Sequence, residues 1–218
     1  LGKRLTAKGA IVGWLIGCFL FLGCGWAAVL LMALFFGLAV VATATGRRQK
    51  EKEGIAEKNE GRRSAYQVFA NGGLAGILGF WAWIWPLSEA YCLMFCAAAF
   101  ASATADTLSS ELGSVYGKRF YHIIGFKPAQ KGLNGVVSLE GSLFGILGSI
   151  LIAAAYVFSS GEYRYFWLIV MAGTAGNIID SILGATQERK GRLGNDAVNF
   201  LNTLGAVLTA CLLWIAWD

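Results

Sequence analysis

The sequence has few charged residues, two prolines and a single histidine. Charged residues make up 14% of the 218 residues, whereas soluble domains average about 25%. The sequence contains no Walker-type glycine loop and no zinc-ligand spacing, and one histidine, His122, gives no candidate Ser-His-Asp set. Cys92 and Cys96 lie one helical turn apart without a second pair, which indicates buried thiols. The common soluble-enzyme classes are therefore not indicated.

Hydrophobic residues are abundant, at 56% of the chain. The apolar run 9–45 has 37 residues. As one helix, at about 1.5 Å per residue, it would be nearly twice as long as the roughly 30 Å hydrocarbon layer of a bilayer is thick. We therefore predict a break at Gly23-Cys24-Gly25 and two helices, at about 10–22 and 26–45.

Further apolar segments predict five more spans, at about 67–85, 87–105, 138–158, 165–186 and 197–217. The predicted fold is all-α, a polytopic transmembrane helix bundle of about seven spans that forms one integral membrane domain over residues 1–218. Polar loops are expected at about 46–66, 114–136 and 187–196. With alternating crossings, 17 of the 18 Lys and Arg residues fall on one face and only Arg164 on the other. The positive-inside rule then makes the first face cytoplasmic.

Acidic residues collect near that predicted face. A carboxylate at the centre of a membrane helix costs roughly 2.5–3.5 kcal/mol on insertion scales, so such residues usually have a function. The carboxylates concerned are Asp106, Glu111, Glu140, Asp180 and Asp196. Polar residues and glycines also recur at helical spacing within residues 102–113, 177–184 and 195–202, and each set forms a polar stripe on one helix face. We expect these stripes to face one another around a hydrated pocket, although interhelical hydrogen bonding without a ligand is an alternative.

Such a pocket suits a magnesium–phosphate site. Mg²⁺ prefers carboxylate and water oxygens with substrate phosphates, and lysine or arginine neutralises the remaining phosphate charge. The predicted loop at about 114–136, called the basic loop below, supplies Lys118, Arg119, Lys127 and Lys131. The 46–63 loop mixes acids and bases and is predicted to be a solvated surface, with Arg62 and Arg63 as the exceptions close to Asn71.

Four ordered sequence blocks resemble a known integral-membrane family. The blocks are 61–63 with 67–73 (GRR and QVFANGG), 105–113 (ADTLSSELG), 135–142 (GVVSLEGS), and 180–186 with 195–203 (DSILGAT and NDAVNFLNT). Together they resemble the family that includes plant phytyl-phosphate kinase. The second and third blocks are also similar to the nucleotide-binding region of CTP-dependent dolichol and phytol kinases. Those kinases have a lysine just before the Glu-Gly pair; here Lys127 or Lys131 would have to substitute for it.

The resemblance implies phosphoryl transfer, with CTP as the expected donor, to an isoprenoid monophosphate such as phytyl or geranylgeranyl phosphate at the cytoplasmic membrane face. Together with the polar stripes it gives a hypothesis for the site. The expected catalytic residues are Asp106, Asp180, Glu140 and Asn71, and the expected Mg²⁺ ligands are Asp106, Glu111, Asp180 and Asp196. Nucleotide or phosphate contacts are expected from Lys118, Arg119, Lys127, Lys131, Ser110, Gly113, Gly117, Gly141, Ser142, Asn199 and Asn202.

Three other functions stay open at this stage. Intramembrane carboxylates also mark ion paths in transporters, and a related site could form a CDP-lipid as a cytidylyltransferase. A binding or scaffold protein without turnover is the third. The expected partners are a nucleoside triphosphate and an isoprenoid phosphate lipid, with no nucleic acid, and a homo-oligomer is compatible with the sequence.

Overall fold

A helix bundle with one small sheet accounts for the residues that the computed structural model describes, 4–55 and 62–217. The helices are α1 (Ala7–Ala44), α2 (Arg47–Lys52), α3 (Ala65–Ile84), α4 (Glu89–Tyr116), α5 (Leu139–Ser160), α6 (Phe166–Leu183) and α7 (Asn195–Trp217). The strands are β1 (Phe120–His122) and β2 (Val136–Ser138). Short 3₁₀ turns precede α4 and α6, and a π-helical turn, Gly184–Glu188, follows α6.

The first long helix is broken where the sequence predicts. Gly25 has φ 64° and ψ −159°, a conformation that favours glycine, and it divides α1 into two segments. Five helices, α1 and α4 to α7, are long and apolar enough to cross a membrane. The prediction of about seven spans counts the two segments of α1 separately and includes the 20-residue α3, which is not among those five helices.

Helix α3 begins at a capping box and packs closely on α1. Ser64 Oγ accepts from the Gln67 backbone N–H at 3.3 Å, and Gln67 Oε1 accepts from the Ser64 N–H at 2.9 Å. Further along, a Cβ atom at Gly23 would overlap the backbone carbonyl of Gly79. Small residues therefore let the backbones of α1 and α3 approach closely, as is usual between membrane helices.

The central helix α4 continues 11 residues beyond its predicted end at Ala105. It contacts α1, α3, α5, α6 and α7, and its residues Cys96 to Ala105 are all buried. The predicted span ends at Ala105, although the stripe at residues 102–113 already has helical spacing beyond that point. The helix instead continues to Tyr116, because its polar face borders a cavity rather than lipid. Asp106 therefore lies within the helix and not at its end.

The basic loop contains secondary structure that the sequence does not predict. Strands β1 and β2 pair antiparallel, with Phe120 opposite Ser138, and form a hairpin against the end of the bundle. Ser138 ends β2 and also caps α5, because its Oγ accepts from the Gly141 N–H at 3.0 Å. The hairpin is thus continuous with the first turn of α5.

Candidate active site

A cavity of about 710 Å³ lies where α3, α4, α5, α6 and α7 converge beneath the hairpin. The amino-terminal turns of three of these helices open onto it: α3 contributes Gln67 and Asn71, α5 contributes Gly141 and Ser142, and α7 contributes Asn195 and Asn199. Helices α4 and α6 contribute acidic residues. The sequence prediction that the polar stripes face one another around one pocket agrees with this arrangement.

Asp106 of α4 and Asp180 of α6 both line the cavity, and their carboxyl groups lie within interacting distance of each other. Asn202 of α7 supports this pair from behind. Its Nδ2 donates to Asp180 Oδ2 at 2.9 Å, and its Oδ1 accepts from Ser102 Oγ at 2.8 Å. Asn202 is fully buried and does not line the cavity. Its position therefore suits a residue that orients Asp180, and not the phosphate contact that the sequence analysis expects.

The segment just before α3 supplies a cation, Arg63, and the helix itself supplies an amide, Asn71. Arg63 lines the cavity, is 8% exposed and lies over the ring of Phe35 at 5.7 Å. It is also close enough to Asp106 for a Coulombic interaction. Asn71 is 7% exposed; its Nδ2 donates to the Gln67 carbonyl at 2.9 Å, whereas its buried Oδ1 has no hydrogen-bond partner within the described residues. Asn71 Oδ1 is thus an unused acceptor on a residue that lines the cavity.

Glycines of α4 and α5 bring two walls of the cavity together. A Cβ at Gly113 would lie 2.8 Å from the Cα of Gly141, and one at Gly141 would lie 2.7 Å from the Ser109 carbonyl. Both glycines, with Ser110 and Ser142, line the cavity, and the phosphate contacts expected from them stay a prediction. Gly117 does not line it; a Cβ there would collide with Phe120 and Ser138, which makes it a packing position.

Glu111, another of the predicted metal ligands, lines the cavity but forms an ion pair with a lysine. Lys50 of α2 forms a close ion pair with Glu111 and donates to the Thr43 carbonyl at 3.2 Å. Lys50 is 2% exposed. The prediction that the whole 46–63 loop is a solvated surface was therefore wrong at this residue, because its long side chain reaches inward to the end of α1.

The predicted basic residues divide into two groups. Lys131 lines the cavity, and its Nζ lies 2.5 Å from Glu53 Oε2. This hydrogen bond lowers the pKa of the Glu53 carboxyl. Lys118, Arg119 and Lys127 are exposed and lie outside the cavity lining. They lie in the segment that follows α4, but their position in the sequence near the site does not bring them into contact with the cavity.

Two predicted acidic residues also lie outside the lining. Glu140 is in the first turn of α5, where its Oε2 accepts from the Lys118 backbone N–H at 3.4 Å. Asp196 is in the first turn of α7 but does not border the cavity. Within residues 4–55 and 62–217, no group of three or more His, Cys, Asp or Glu side chains is placed to hold a metal ion. The four predicted metal ligands are therefore not brought together as one set.

Several cavity residues were absent from the predicted site. Arg63 and Gln67 belong to the first family-like block, which was their available signal. Asn177 belongs to a predicted polar stripe, and its Oδ1 accepts from Ser109 Oγ at 3.1 Å. Glu188 borders the cavity because the π-helical turn after α6 directs it there. No sequence pattern indicates that turn.

Residues 1–207 of this chain match the model of a protein family described as 'Integral membrane protein DUF92'. The chain is a member of this family. This confirms the family resemblance seen in the four sequence blocks. It also establishes the DUF92 chain as an integral membrane protein with a helical fold. No solved structure matches the chain.

Relatives of this DUF92 protein come from plants, archaea and cyanobacteria. It is 33% identical to Protein VTE6, chloroplastic, of Arabidopsis thaliana over 213 residues, which cover 94% of this chain and 64% of the relative. An uncharacterized membrane protein of Methanocaldococcus jannaschii is 32% identical over 219 residues, covering 97% and 87%. One from Synechocystis is 30% identical over 213 residues, covering 94% and 81%. The chain spans slightly less than two thirds of the length of the plant relative.

Proposed function

We propose that this protein is a membrane-bound kinase that transfers the terminal phosphoryl group of CTP to an isoprenoid monophosphate such as phytyl or geranylgeranyl phosphate. The observation that carries the proposal is that Asp106 and Asp180 border the same cavity as three helix amino termini. Membership of one family with VTE6, and the resemblance of the sequence blocks to plant phytyl-phosphate kinase and to CTP-dependent kinases, support the same reaction.

Helix amino termini attract phosphate groups. The first N–H groups of a helix lack internal partners, and the helix dipole places partial positive charge there. The amino-terminal turns of α3, α5 and α7 bring the positive ends of three helix dipoles to the cavity, although Ser64 Oγ and Ser138 Oγ already accept from the Gln67 and Gly141 N–H groups. Arg63 and Lys131 add cationic charge at its border. This arrangement suits a donor triphosphate and an acceptor monophosphate side by side.

The oxygen donors of the cavity fit Mg²⁺. Asp106 and Asp180 supply two carboxylates, and the unused Oδ1 of Asn71 supplies a neutral oxygen. Mg²⁺ is usually bound in proteins by one or two carboxylates, with waters and substrate phosphates completing its shell, so a cluster of three acidic residues is not required. When bound, the ion would neutralise charge on the transferring phosphoryl group. Asp106 and Asp180 would hold it.

The reaction needs positioning more than proton transfer. An oxygen of the acceptor monophosphate, already anionic, forms a bond to the γ-phosphorus of CTP while the bond from that phosphorus to the β,γ-bridging oxygen breaks. The products are an isoprenoid diphosphate and CDP. Asn202 keeps Asp180 oriented, Lys50 keeps Glu111 in place, and Arg63 offsets the charge near Asp106. We place this cavity at the cytoplasmic face, where the basic residues concentrate and nucleotides are available.

The test is a turnover assay with the purified protein in lipid nanodiscs, using labelled CTP, Mg²⁺ and geranylgeranyl phosphate. We expect labelled diphosphate product from the wild type, and a loss of about 100-fold in Asp106→Asn and Asp180→Asn because each removes charge from the reacting centre. Glu89→Gln, at the opposite end of α4, is the matched control and should retain activity.

The products distinguish the competing functions. CDP with a prenyl diphosphate identifies a kinase, whereas pyrophosphate with a CDP-prenyl lipid would identify a cytidylyltransferase. Ion or anion flux into proteoliposomes without nucleotide would identify a transporter. Equal turnover in the wild type and both aspartate variants would remove these carboxylates from the mechanism.

A further inference from the structure

The cavity has an apolar extension between α5 and α6. Its lining changes from serine near the hairpin, at Ser142 and Ser181, to Ile146 and Ile178 farther from it, where the side chains of Thr174 and Asn177 are already hydrogen-bonded within the bundle. Thr174 precedes Asp180 by six residues, so at about 1.5 Å per residue the extension reaches about 9 Å along α6 beyond the carboxylates. The cavity thus runs from a polar mouth to an apolar recess within the membrane-spanning part of the bundle.

The two isoleucines of this recess are partly exposed and continue an exposed apolar face of α5 and α6. Ile146 is 37% exposed and Ile178 is 47% exposed, although both line the cavity. Their exposed apolar neighbours on the same helices are Leu143, Leu147 and Ile182. In a membrane-spanning bundle such a surface faces lipid chains. This exposed apolar face adjoins the cavity between α5 and α6, which is where a lateral opening to the bilayer would lie.

The inner side of the same helix pair is closed. A Cβ at Gly145 would lie 2.7 Å from Asn177 Nδ2, and one at Gly173 would lie 2.6 Å from Ser149 Oγ. Ser149 is fully buried there. Because α5 and α6 are in close contact at these positions, a long chain cannot pass into the centre of the bundle from this recess. A passage at this position would therefore lead outward to the bilayer.

We propose that this lateral opening is the passage through which the isoprenoid tail of the acceptor extends into the bilayer, and that Ile146 and Ile178 contact the part of the tail nearest the phosphate. The inference rests on the proposed function, because it places the acceptor phosphate beside Asp180. Only about 9 Å of the tail is enclosed. The site therefore selects the branched apolar structure near the phosphate and leaves the distal chain in lipid, so acceptors of different total length are accepted.

Substitutions that fill the passage test it. Ile146→Trp and Ile178→Trp should raise KM for geranylgeranyl phosphate by about tenfold or more, because a bulky ring occupies the space of the proximal tail. Methyl phosphate, which has no isoprene unit to enter the passage, should be affected much less. Leu147→Trp and Met171→Trp are matched controls on the same two helices, exposed but outside the cavity lining, and should keep the wild-type KM. Equal KM values in passage and control variants would overturn the proposal.

A photo-crosslinking experiment on the wild type keeps the test independent of folding defects and of turnover. Geranylgeranyl phosphate that carries a diazirine on its first isoprene unit is irradiated with the protein in nanodiscs without nucleotide. Adducts on residues 142–146 or 174–181 support the passage, and adducts confined to other helices overturn it. Adducts at the passage in a protein that transfers no phosphate would refute the kinase and keep the passage. Normal phosphoryl transfer with adducts confined to other helices would support the kinase and refute the passage.

Discussion

Asn202 Nδ2 donates to Asp180 Oδ2 at 2.9 Å, so a fully buried amide of α7 fixes an acidic side chain of α6 at the cavity. The same amide accepts from Ser102 of α4 through its Oδ1 at 2.8 Å. One side chain therefore joins three helices behind the proposed phosphate site. Polar links of this kind specify the relative position of membrane helices as well as stabilising them.

Removal of this amide should affect both stability and catalysis. We expect Asn202→Ala to lower the free energy of unfolding by about 1–3 kcal/mol, because Asp180 and Ser102 each lose a buried partner. Turnover should fall more than affinity for CTP, since Asn202 orients Asp180 and does not border the cavity. Thermal unfolding in detergent and the kinase assay measure the two effects. Thr209→Val in the same helix, which loses only a bond to the Gly205 carbonyl, is the control.

The ion pair between Lys50 and Glu111 leads to a second prediction. Lys50→Met leaves the Glu111 carboxylate and the Thr43 carbonyl without their buried donor, and the expected loss of stability is about 3–5 kcal/mol. Adding Glu111→Gln should restore much of this loss. Arg48→Met, at an exposed position of the same short helix, should change little. If Lys50→Met unfolds at the same temperature as Arg48→Met, the buried pair does not stabilise the fold.

The close approach of α4 and α5 predicts a steric effect at Gly113. An added methyl group would lie 2.8 Å from the Cα of Gly141, so Gly113→Ala must separate the two helices. We expect a destabilisation of about 1–3 kcal/mol, together with loss of turnover because the glycines line the cavity. Gly37→Ala within α1 has open space around its added Cβ and should unfold at or above the wild-type temperature. Equal behaviour of the two variants would contradict this packing argument.

The Glu53–Lys131 contact should make the hairpin sensitive to acid. Hydrogen bonding to Lys131 lowers the pKa of Glu53 below its ordinary value, so the folded state favours the ionised carboxyl. Its stabilising effect is present above the ordinary pKa and is lost as pH falls through the lowered one.

Hydrogen exchange of residues 119–135 provides the measurement. After correction for the intrinsic pH dependence of exchange, protection should decrease on acidification in the wild type. Glu53→Gln should show reduced protection at neutral pH and a smaller change with pH. Glu51→Gln is the matched control because Glu51 pairs with Arg47 instead. A hairpin equally protected in the wild type and in Glu53→Gln would show that the contact does not hold it in place.

The sequence by itself determined the helical membrane fold, the break at Gly25 and the family. These properties follow from local features: the lengths of apolar runs, the positions of glycines and the order of motif residues. The same local reasoning placed Asp106 and Asp180 among the candidate residues, because carboxylates are rare in apolar helices. Their common cavity follows from helical periodicity once the helices are packed together.

Only the tertiary structure decided which polar residues border the cavity and which support it. Asn202 and Asp196 share the first part of α7, yet one is buried behind Asp180 and the other lies outside the lining. Lys50 is distant from Glu111 in sequence, and Lys118 is close to it, but Lys50 makes the contact. Such outcomes depend on helix rotation, on the hairpin and on the reach of long side chains. Packing between distant segments sets all three, so a local sequence pattern does not contain them.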